Sequence, residues 1–119
     1  NLDISERAGN SKLSDDERPL YDEVRQAYKD LVPVPCTGCR YCMPCPNGVE
    51  IPSVFRIYGD YKMYGNERIS KIRYNGGPWG LKPDQTGGAC IECGQCLELC
   101  PQHITIPEWL KTIHAELAV

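Results

Sequence analysis

Residues 36–46 read CTGCRYCMPCP, and residues 90–101 read CIECGQCLELCP. Each stretch spaces three cysteines as CxxCxxC and ends with a fourth cysteine that precedes a proline. The two stretches contain all eight cysteines of the 119-residue chain: Cys36, Cys39, Cys42, Cys45, Cys90, Cys93, Cys96 and Cys100. A CxxCxxC segment can place three thiolates at three corners of one Fe₄S₄ cube, and the cysteine before proline then points toward a second cube. The spacing therefore predicts two bound [4Fe–4S] clusters.

Two other uses of eight cysteines fit the pattern less well. Disulfides stabilise many small secreted domains, but cysteines that follow one another at three-residue intervals are poor partners. Two Cys₄ zinc sites would also use eight thiolates. Zinc sites are usually assembled from separated CxxC pairs, whereas a third cysteine extends each pair here. Zinc therefore remains the main alternative metal.

The composition indicates a small apolar core that needs additional stabilisation. Hydrophobic residues make up 41% of the chain, with one Phe and two Trp among them, while ten prolines and eleven glycines favour turns. Metal clusters stabilise such chains because ligand binding is coupled to folding. No stretch is apolar over the length needed to span a membrane. Thiolate-bound iron suits a reducing compartment, so we expect a cytoplasmic location, and Asn1 in place of Met suggests a processed protein or a fragment.

The charge distribution argues against a nucleic-acid partner. The formal net charge of −3 counts the cysteines as neutral thiols. A cluster with its four thiolates carries about −2, so two clusters would take the charge to about −7. Residues 60–82 nevertheless concentrate five bases: Lys62, Arg68, Lys71, Arg73 and Lys82. This stretch could dock an acidic partner, although a solvated face is the more ordinary interpretation.

An internal repeat follows the cysteines. Residues 45–55, CPNGVEIPSVF, align without a gap with residues 100–110, CPQHITIPEWL. Pro52 and Pro107 suit the first turn of a helix, and Gly65 suits a helix end. Apolar residues then recur at helical spacing: Val54, Phe55, Tyr58 and Tyr61 in one copy, and Trp109, Leu110, Ile113 and Leu117 in the other. Each half is predicted to be a cluster-binding loop followed by a helix, and a pseudo-twofold should relate the halves.

Two further helices are predicted outside the repeat. An apolar stripe indicates an amphipathic helix over roughly residues 15–31: Tyr21, Val24, Tyr28 and Leu31. Ser14 and Glu17 match a capping box, but Pro19 would then lie deep in the helix, so a start at Asp16 is equally consistent. Glu67 to Tyr74 is predicted to form a short helix.

The motifs PCTGCRYCMPCPNGVEIP and GACIECGQCLELCPQHITIPEWLK resemble the C-terminal ferredoxin-like domain of a prokaryotic subfamily of aldo/keto reductases. The resemblance covers roughly residues 33–118, and residues 1–31 are similar to the helical segment that ends the barrel in that family. It implies an N-terminal helical segment over 1–32, the tail of a preceding barrel domain, and a dicluster ferredoxin-like domain over 33–119. In that family the NADP(H)-binding (β/α)₈ barrel precedes this domain.

The resemblance implies an electron-transfer module that binds two [4Fe–4S] clusters. No catalytic tetrad or phosphate-binding loop is present, so we predict that this chain alone is not an enzyme, although its parent would be an oxidoreductase. The expected partner is an aldo/keto-reductase-like barrel in cis or another redox protein. The alternative function is structural: a docking domain stabilised by Fe–S clusters or zinc without redox turnover. Reversible reduction would distinguish the two.

The fold class follows from the long segment between the cysteine runs. Residues 46–89 are long for a compact βαββαβ ferredoxin, and their pattern is helical. We therefore predict a mainly α, α-helical ferredoxin-like domain, with the compact βαββαβ form as the alternative.

Two-cluster ferredoxins imply crossed ligation, in which the last cysteine of each run binds the other cluster. One cluster would be bound by Cys36, Cys39, Cys42 and Cys100. The other would be bound by Cys90, Cys93, Cys96 and Cys45. Only Met43 and Pro44 separate Cys42 from Cys45, so the alternative that each run closes on its own cluster stays open.

Several other residues near the cysteines have expected roles. His103 is predicted to donate to a cluster sulfur or to form a partly exposed cap, and His114 is predicted to face solvent. Four side chains within the runs are expected to shield the clusters from water: Tyr41, Met43, Ile91 and Leu97.

Overall fold

A computed structural model describes residues 1–10 and 13–119 of the chain. Its α-helices are α1 (Leu2–Asn10), α2 (Glu17–Leu31), α3 (Ile51–Tyr64), α4 (Glu67–Tyr74), α5 (Gln95–Glu98) and α6 (Ile106–Leu117), with short 3₁₀ turns at Pro83–Gln85 and Gly87–Ala89. These described residues include no β-strand, which confirms the mainly α prediction and removes the compact βαββαβ alternative. None of the described helices has the length and apolar character required to cross a bilayer.

The chain divides into two compact units, Asn1–Asp30 and Leu31–Val119. In the first unit, α2 begins at Glu17 with both hydrogen bonds of the predicted capping box. The Ser14 backbone N donates to Glu17 Oε2 over 2.8 Å, and the Glu17 backbone N donates to Ser14 Oγ over 3.3 Å. Because the helix begins three residues after Ser14, Pro19 lies in its first turn, where a proline is tolerated.

Helix α1 was not predicted from the sequence. Only Leu2 and Ile4 are large apolar residues in it, so it lacks the repeated apolar spacing that identifies a packed helix. Arg7 and Asp3, which are one helical turn apart, form an ion pair at 2.8 Å that stabilises α1 locally. Helix α2 has no buried residue, and its predicted apolar stripe is exposed to solvent.

In the second unit, the two repeat copies form matching helices. Helices α3 and α6 begin at Ile51 and Ile106, each with proline in its first turn. Helix α3 ends where predicted, because Gly65 adopts a left-handed conformation (φ 64°) and its N–H donates to the Tyr61 carbonyl over 2.9 Å. The predicted helix over residues 67–74 is also present as α4, capped by the Asn66 side chain, which accepts from the Ile69 N–H.

The core of the second unit is small and lies between α3, α4 and α6. The aliphatic and Ile positions of the repeat are at its centre: Val49, Ile51, Ile104 and Ile106 are each at most 6% exposed. Six cysteines are partly buried against this core: Cys36, Cys42, Cys45, Cys90, Cys96 and Cys100. The cysteine loops are therefore part of the core packing and not appendages to it.

The basic stretch over residues 60–82 is largely neutralised within the fold. Lys62 Nζ donates to Glu116 Oε2 over 2.7 Å, which joins α3 to α6 and raises the lysine pKa. Arg73 pairs with Asp60 at 2.6 Å, and Lys71 pairs with Glu67 at 2.7 Å. Three of the five bases thus have acidic partners, which favours the solvated-face interpretation over a docking site for an acidic partner.

Candidate metal-cluster site

The two CxxCxxC loops adopt the same backbone turn. Within each loop, the second residue after the first cysteine and the first residue after the second cysteine have positive φ. These residues are Gly38 (70°) and Arg40 (66°) in one loop, and Glu92 (54°) and Gly94 (79°) in the other. A left-handed conformation costs a residue other than glycine about 1–2 kcal/mol. Each loop therefore contains one glycine and one charged residue in this strained region.

One cavity is lined by cysteines from both runs. Cys36, Cys39 and Cys42 border it on one side, and Cys100 comes from the second run. Phe55, Ile104 and Ile106 supply part of its apolar wall, and the space free of protein atoms, with its open mouth included, is about 320 Å³. Four thiols thus border the same space.

A second cavity brings together the remaining four cysteines. Cys90, Cys93 and Cys96 line it together with Cys45, which reaches it despite the short spacer after Cys42. Its space free of protein atoms, measured in the same way, is about 450 Å³. Cys42 lines both cavities, so the two lie side by side. Apart from the shared Cys42, the two groups match the sets of the crossed assignment, which stays a prediction.

A cluster and a single ion need different arrangements of donors. Among residues 1–10 and 13–119, no three His, Cys, Asp or Glu side chains are arranged to hold one metal ion. A tetrahedral zinc site needs four donors that all lie about 2.0–2.3 Å from one point. An Fe₄S₄ cube instead needs one thiolate at each of four separated iron atoms, and each cavity offers four cysteines around its wall.

Burial holds two of the thiols in their neutral form when no metal is bound. Loss of hydration raises the pKa of Cys96 to about 11, and the neighbouring Cys90, Cys42 and Cys45 add to the increase. Burial also raises the pKa of Cys42, with smaller contributions from Cys36, Cys100 and Cys39. Iron binds thiolates, so loading must release these protons. The neighbours that act on each thiol include members of the same cavity.

A buried polar network fixes the approach to Cys90. The hydroxyl of fully buried Tyr74 accepts from the Gly87 N–H over 2.8 Å and lies 3.1 Å from His114 Nδ1. The Cys90 N–H in turn donates to the Gly87 carbonyl over 3.1 Å. A side chain at residue 87 would lie 2.5 Å from the Leu110 carbonyl oxygen, so only glycine fits. The network joins α4 and α6 to the turn that precedes the second cysteine run.

The prediction for His114 is therefore wrong, since it is half-buried against Tyr74 rather than directed to solvent. The sequence contained no sign of this pair, because 40 residues separate its members. Other links join the first loop to the segment before Cys90. The Asn47 side-chain N–H donates to the Ala89 carbonyl, and the Glu50 N–H donates to the Gln85 carbonyl over 3.0 Å.

Most of the expected shielding side chains are exposed. Tyr41 is 66% exposed, Ile91 is 65% exposed and Leu97 is 41% exposed, and only Met43 is partly buried. The shielding prediction is wrong for Tyr41 and Leu97, which line neither cavity, whereas Ile91 lines the second cavity although much of it is exposed. Apolar cover comes instead from helix residues such as Phe55 and Leu110. His103 is exposed and lines neither cavity, in keeping with a cap rather than a donor to sulfur.

Comparison with known proteins agrees with this geometry. The family described as "4Fe-4S dicluster domain" matches residues 35–105. This range includes all eight cysteines and ends directly before α6. Neither a curated protein nor a solved structure matches the chain.

Proposed function

Because this chain belongs to the 4Fe-4S dicluster domain family, we propose that it is an electron-transfer module that holds two [4Fe–4S] clusters. The observation that best supports the number two is the presence of two cavities, one lined by four cysteines and the other by four more together with the shared Cys42. Each bound cluster would supply a one-electron couple with little change in geometry. The residues of this chain would hold the clusters, limit their contact with water and bring them close together.

The proposed ligands follow the two cavities. Cys36, Cys39, Cys42 and Cys100 would bind the first cluster. Cys45, Cys90, Cys93 and Cys96 would bind the second. Backbone N–H groups that point at sulfur stabilise the reduced form, and the Glu92 N–H already lies 3.4 Å from Cys90 Sγ.

The arrangement is suited to a relay between two partners. Cys42 borders both cavities, so bound clusters would be neighbours. Cys39 and Cys93 are exposed, while the other six cysteines are partly buried. Each cavity thus has one exposed cysteine at which a redox partner could approach. A purely structural metal site would not need this exposure on both sides.

The metal content gives the direct test. Protein purified without oxygen is expected to contain about eight irons and about eight sulfides per chain, with a broad visible absorption band that bleaches on addition of dithionite and returns on oxidation. Protein in which Cys93 and Cys39 are both replaced by serine provides the control for non-specific iron. If protein made in cells supplied with iron contained stoichiometric zinc, or if its clusters could not be reduced, the structural alternative would be supported instead.

We also propose that the module is the C-terminal part of an aldo/keto-reductase-like oxidoreductase in the cytoplasm. The support is the resemblance of residues 33–118 and the uncovered apolar stripe of α2. Its side chains Tyr21, Val24, Tyr28 and Leu31 are each about half exposed. Residues 1–32 would then be the tail of a barrel that covers this stripe, and residues 33–119 the dicluster domain.

On this proposal the chain alone has no catalytic activity. The loaded protein is expected to reduce aldehydes with NADPH no faster than buffer without protein does, because it supplies neither a nicotinamide site nor a catalytic tetrad. NADPH oxidation at 340 nm measures the rate, and reduction by dithionite of the same sample shows that the clusters are intact. A rate that co-purifies with the chain through successive columns would show that an active site has been overlooked.

A further inference from the structure

The two cysteine runs differ in charge. Between Cys36 and Cys45 the one charged residue is Arg40, whereas Glu92 and Glu98 lie between Cys90 and Cys100. We propose that these charges give the two clusters unequal reduction potentials, with the higher potential at the cluster bound by Cys36, Cys39 and Cys42. The inference rests on the proposed loading with two clusters and adds a direction of electron flow to it.

The backbone indicates that Arg40 and Glu92 are not incidental. Both occupy left-handed positions, at φ 66° and 54°, where glycine would avoid the strain. The matching position of the other loop is glycine in each case: Gly94 for Arg40 and Gly38 for Glu92. The turn therefore accepts glycine at both places. A non-glycine residue at a strained position where glycine would fit is a reason to look for a function. These two residues have opposite charges.

Each of the two residues is close to one set of cysteines. Arg40 lines the first cavity together with Cys36, Cys39 and Cys42. The Glu92 N–H contacts Cys90 Sγ at 3.4 Å, and so this residue is directly beside a ligand of the second cavity. Positive charge near a cluster favours the reduced state, which carries one more electron, and negative charge disfavours it.

Other charged residues near the cysteines act in both directions. Arg56 lies with Arg40 and Cys36 around one surface groove, and Asp60, which is paired with Arg73, lines the same groove. Glu50 pairs with Arg40 at 3.4 Å and offsets part of its charge. Glu98 in α5 lies two residues from both Cys96 and Cys100, so it is close in sequence to a cysteine of each cavity and does not favour one side. The hydrogen bond from the Glu92 N–H raises the potential of the second cluster, but it comes from the backbone and is independent of the carboxylate.

The consequence is a preferred direction. A one-electron donor would first reduce the second cluster to its 1+ core. The electron would then pass from the second cluster to the first. The second core then returns to 2+ and the first becomes 1+, so one electron is conserved. Electrons would enter beside exposed Cys93 and leave beside exposed Cys39.

Reductive titration of the loaded full chain tests the proposal. The wild type should show two one-electron steps, and the cysteine β-proton NMR signals of Cys36, Cys39 and Cys42 should report the first step. Glu92→Gln should raise the lower potential and leave the higher one in place. Arg40→Gln should lower the higher potential and leave the lower one in place. Glutamine keeps the backbone N–H in both variants; Glu92→Gln changes only the charge and the side-chain terminus, whereas Arg40→Gln also shortens the side chain.

Glu67→Gln and Arg68→Gln in α4 are matched controls, since neither residue lies in a cysteine run or lines a cysteine cavity, and both should leave the two potentials unchanged. The proposal is overturned if the two wild-type potentials coincide, if the second cluster is reduced first, or if Arg40→Gln and Glu92→Gln shift them no more than the controls do. Iron analysis separates this failure from that of the proposed function. Two full clusters with equal potentials would refute only the direction, whereas one cluster or zinc would refute the loading itself.

Discussion

Replacing Cys45 by serine is expected to damage the cluster held by Cys90, Cys93 and Cys96, which are at least 45 residues away in the sequence. Cys45 lines the cavity of those three cysteines, and it is absent from the wall of the first cavity. A serine hydroxyl is a poor substitute for a thiolate at iron. We expect the loss of about half of the bound iron, with the other cluster still reducible.

Replacing Cys100 by serine is expected to have the reciprocal effect. Cys100 lines the cavity with Cys36, Cys39 and Cys42, so the cluster on that side should be lost or become labile. Iron analysis gives the amount that remains. Paramagnetic NMR of the assigned cysteine β-protons shows which cluster remains, because only ligands of an intact cluster give shifted signals.

Cys39→Ser is the matched control for these two variants. Cys39 belongs to the first cluster whether the runs cross or each closes on its own cluster. Under crossed ligation, Cys39→Ser and Cys45→Ser damage different clusters, and Cys39→Ser and Cys100→Ser damage the same one. If Cys45→Ser instead perturbs only the signals of Cys36, Cys39 and Cys42, the spacer of Met43 and Pro44 has closed the first run on itself. The crossed assignment would then be wrong.

The local patterns of the sequence predicted most of the helical framework. The Ile-Pro pairs at residues 51 and 106 start α3 and α6, because proline is preorganised for a first turn and lacks only an N–H that the turn leaves unused. Gly65 ends α3 because its left-handed φ needs no compensation. These signals lie within a few residues of the structure that they specify, so a single sequence contains them.

Contacts between distant residues could not be predicted in this way. The Tyr74 hydroxyl joins Gly87 and His114, and neither the helical spacing around Tyr74 nor the stripe of α6 indicates that contact. The cysteines differ from these contacts, because the CxxCxxC spacing itself limits which thiols can bind the same Fe₄S₄ cube. The positive φ values of Arg40 and Glu92 could not be predicted either, since the sequence contains glycine at only one of the two turn positions in each loop.

Removal of the clusters is expected to abolish the cooperative folding of residues 31–119. The buried apolar cluster there is small, and six of the eight cysteines pack against it. The first cysteine run lies before α3, and the second lies between α4 and α6. Each cluster would join thiols of both runs, so the clusters connect elements that are distant in sequence. Binding free energy is folding free energy in such a domain, and its loss removes the main connection between the two halves.

Iron chelation with ferricyanide oxidation, followed by circular dichroism and two-dimensional NMR, measures the effect. Dispersed amide signals from residues 31–119 should collapse into the narrow range of an unfolded chain. Some helicity should remain from residues 15–31, because α2 has no buried residue and its N-terminus is capped by the local hydrogen bonds of the Ser14–Glu17 pair. Treatment of the loaded protein with the chelator alone is the control, and restoration with iron and sulfide should recover the dispersed spectrum. Sharp, dispersed signals throughout the cluster-free chain would contradict the prediction, and would mean that the apolar contacts among α3, α4 and α6 are sufficient to hold the fold without the metal.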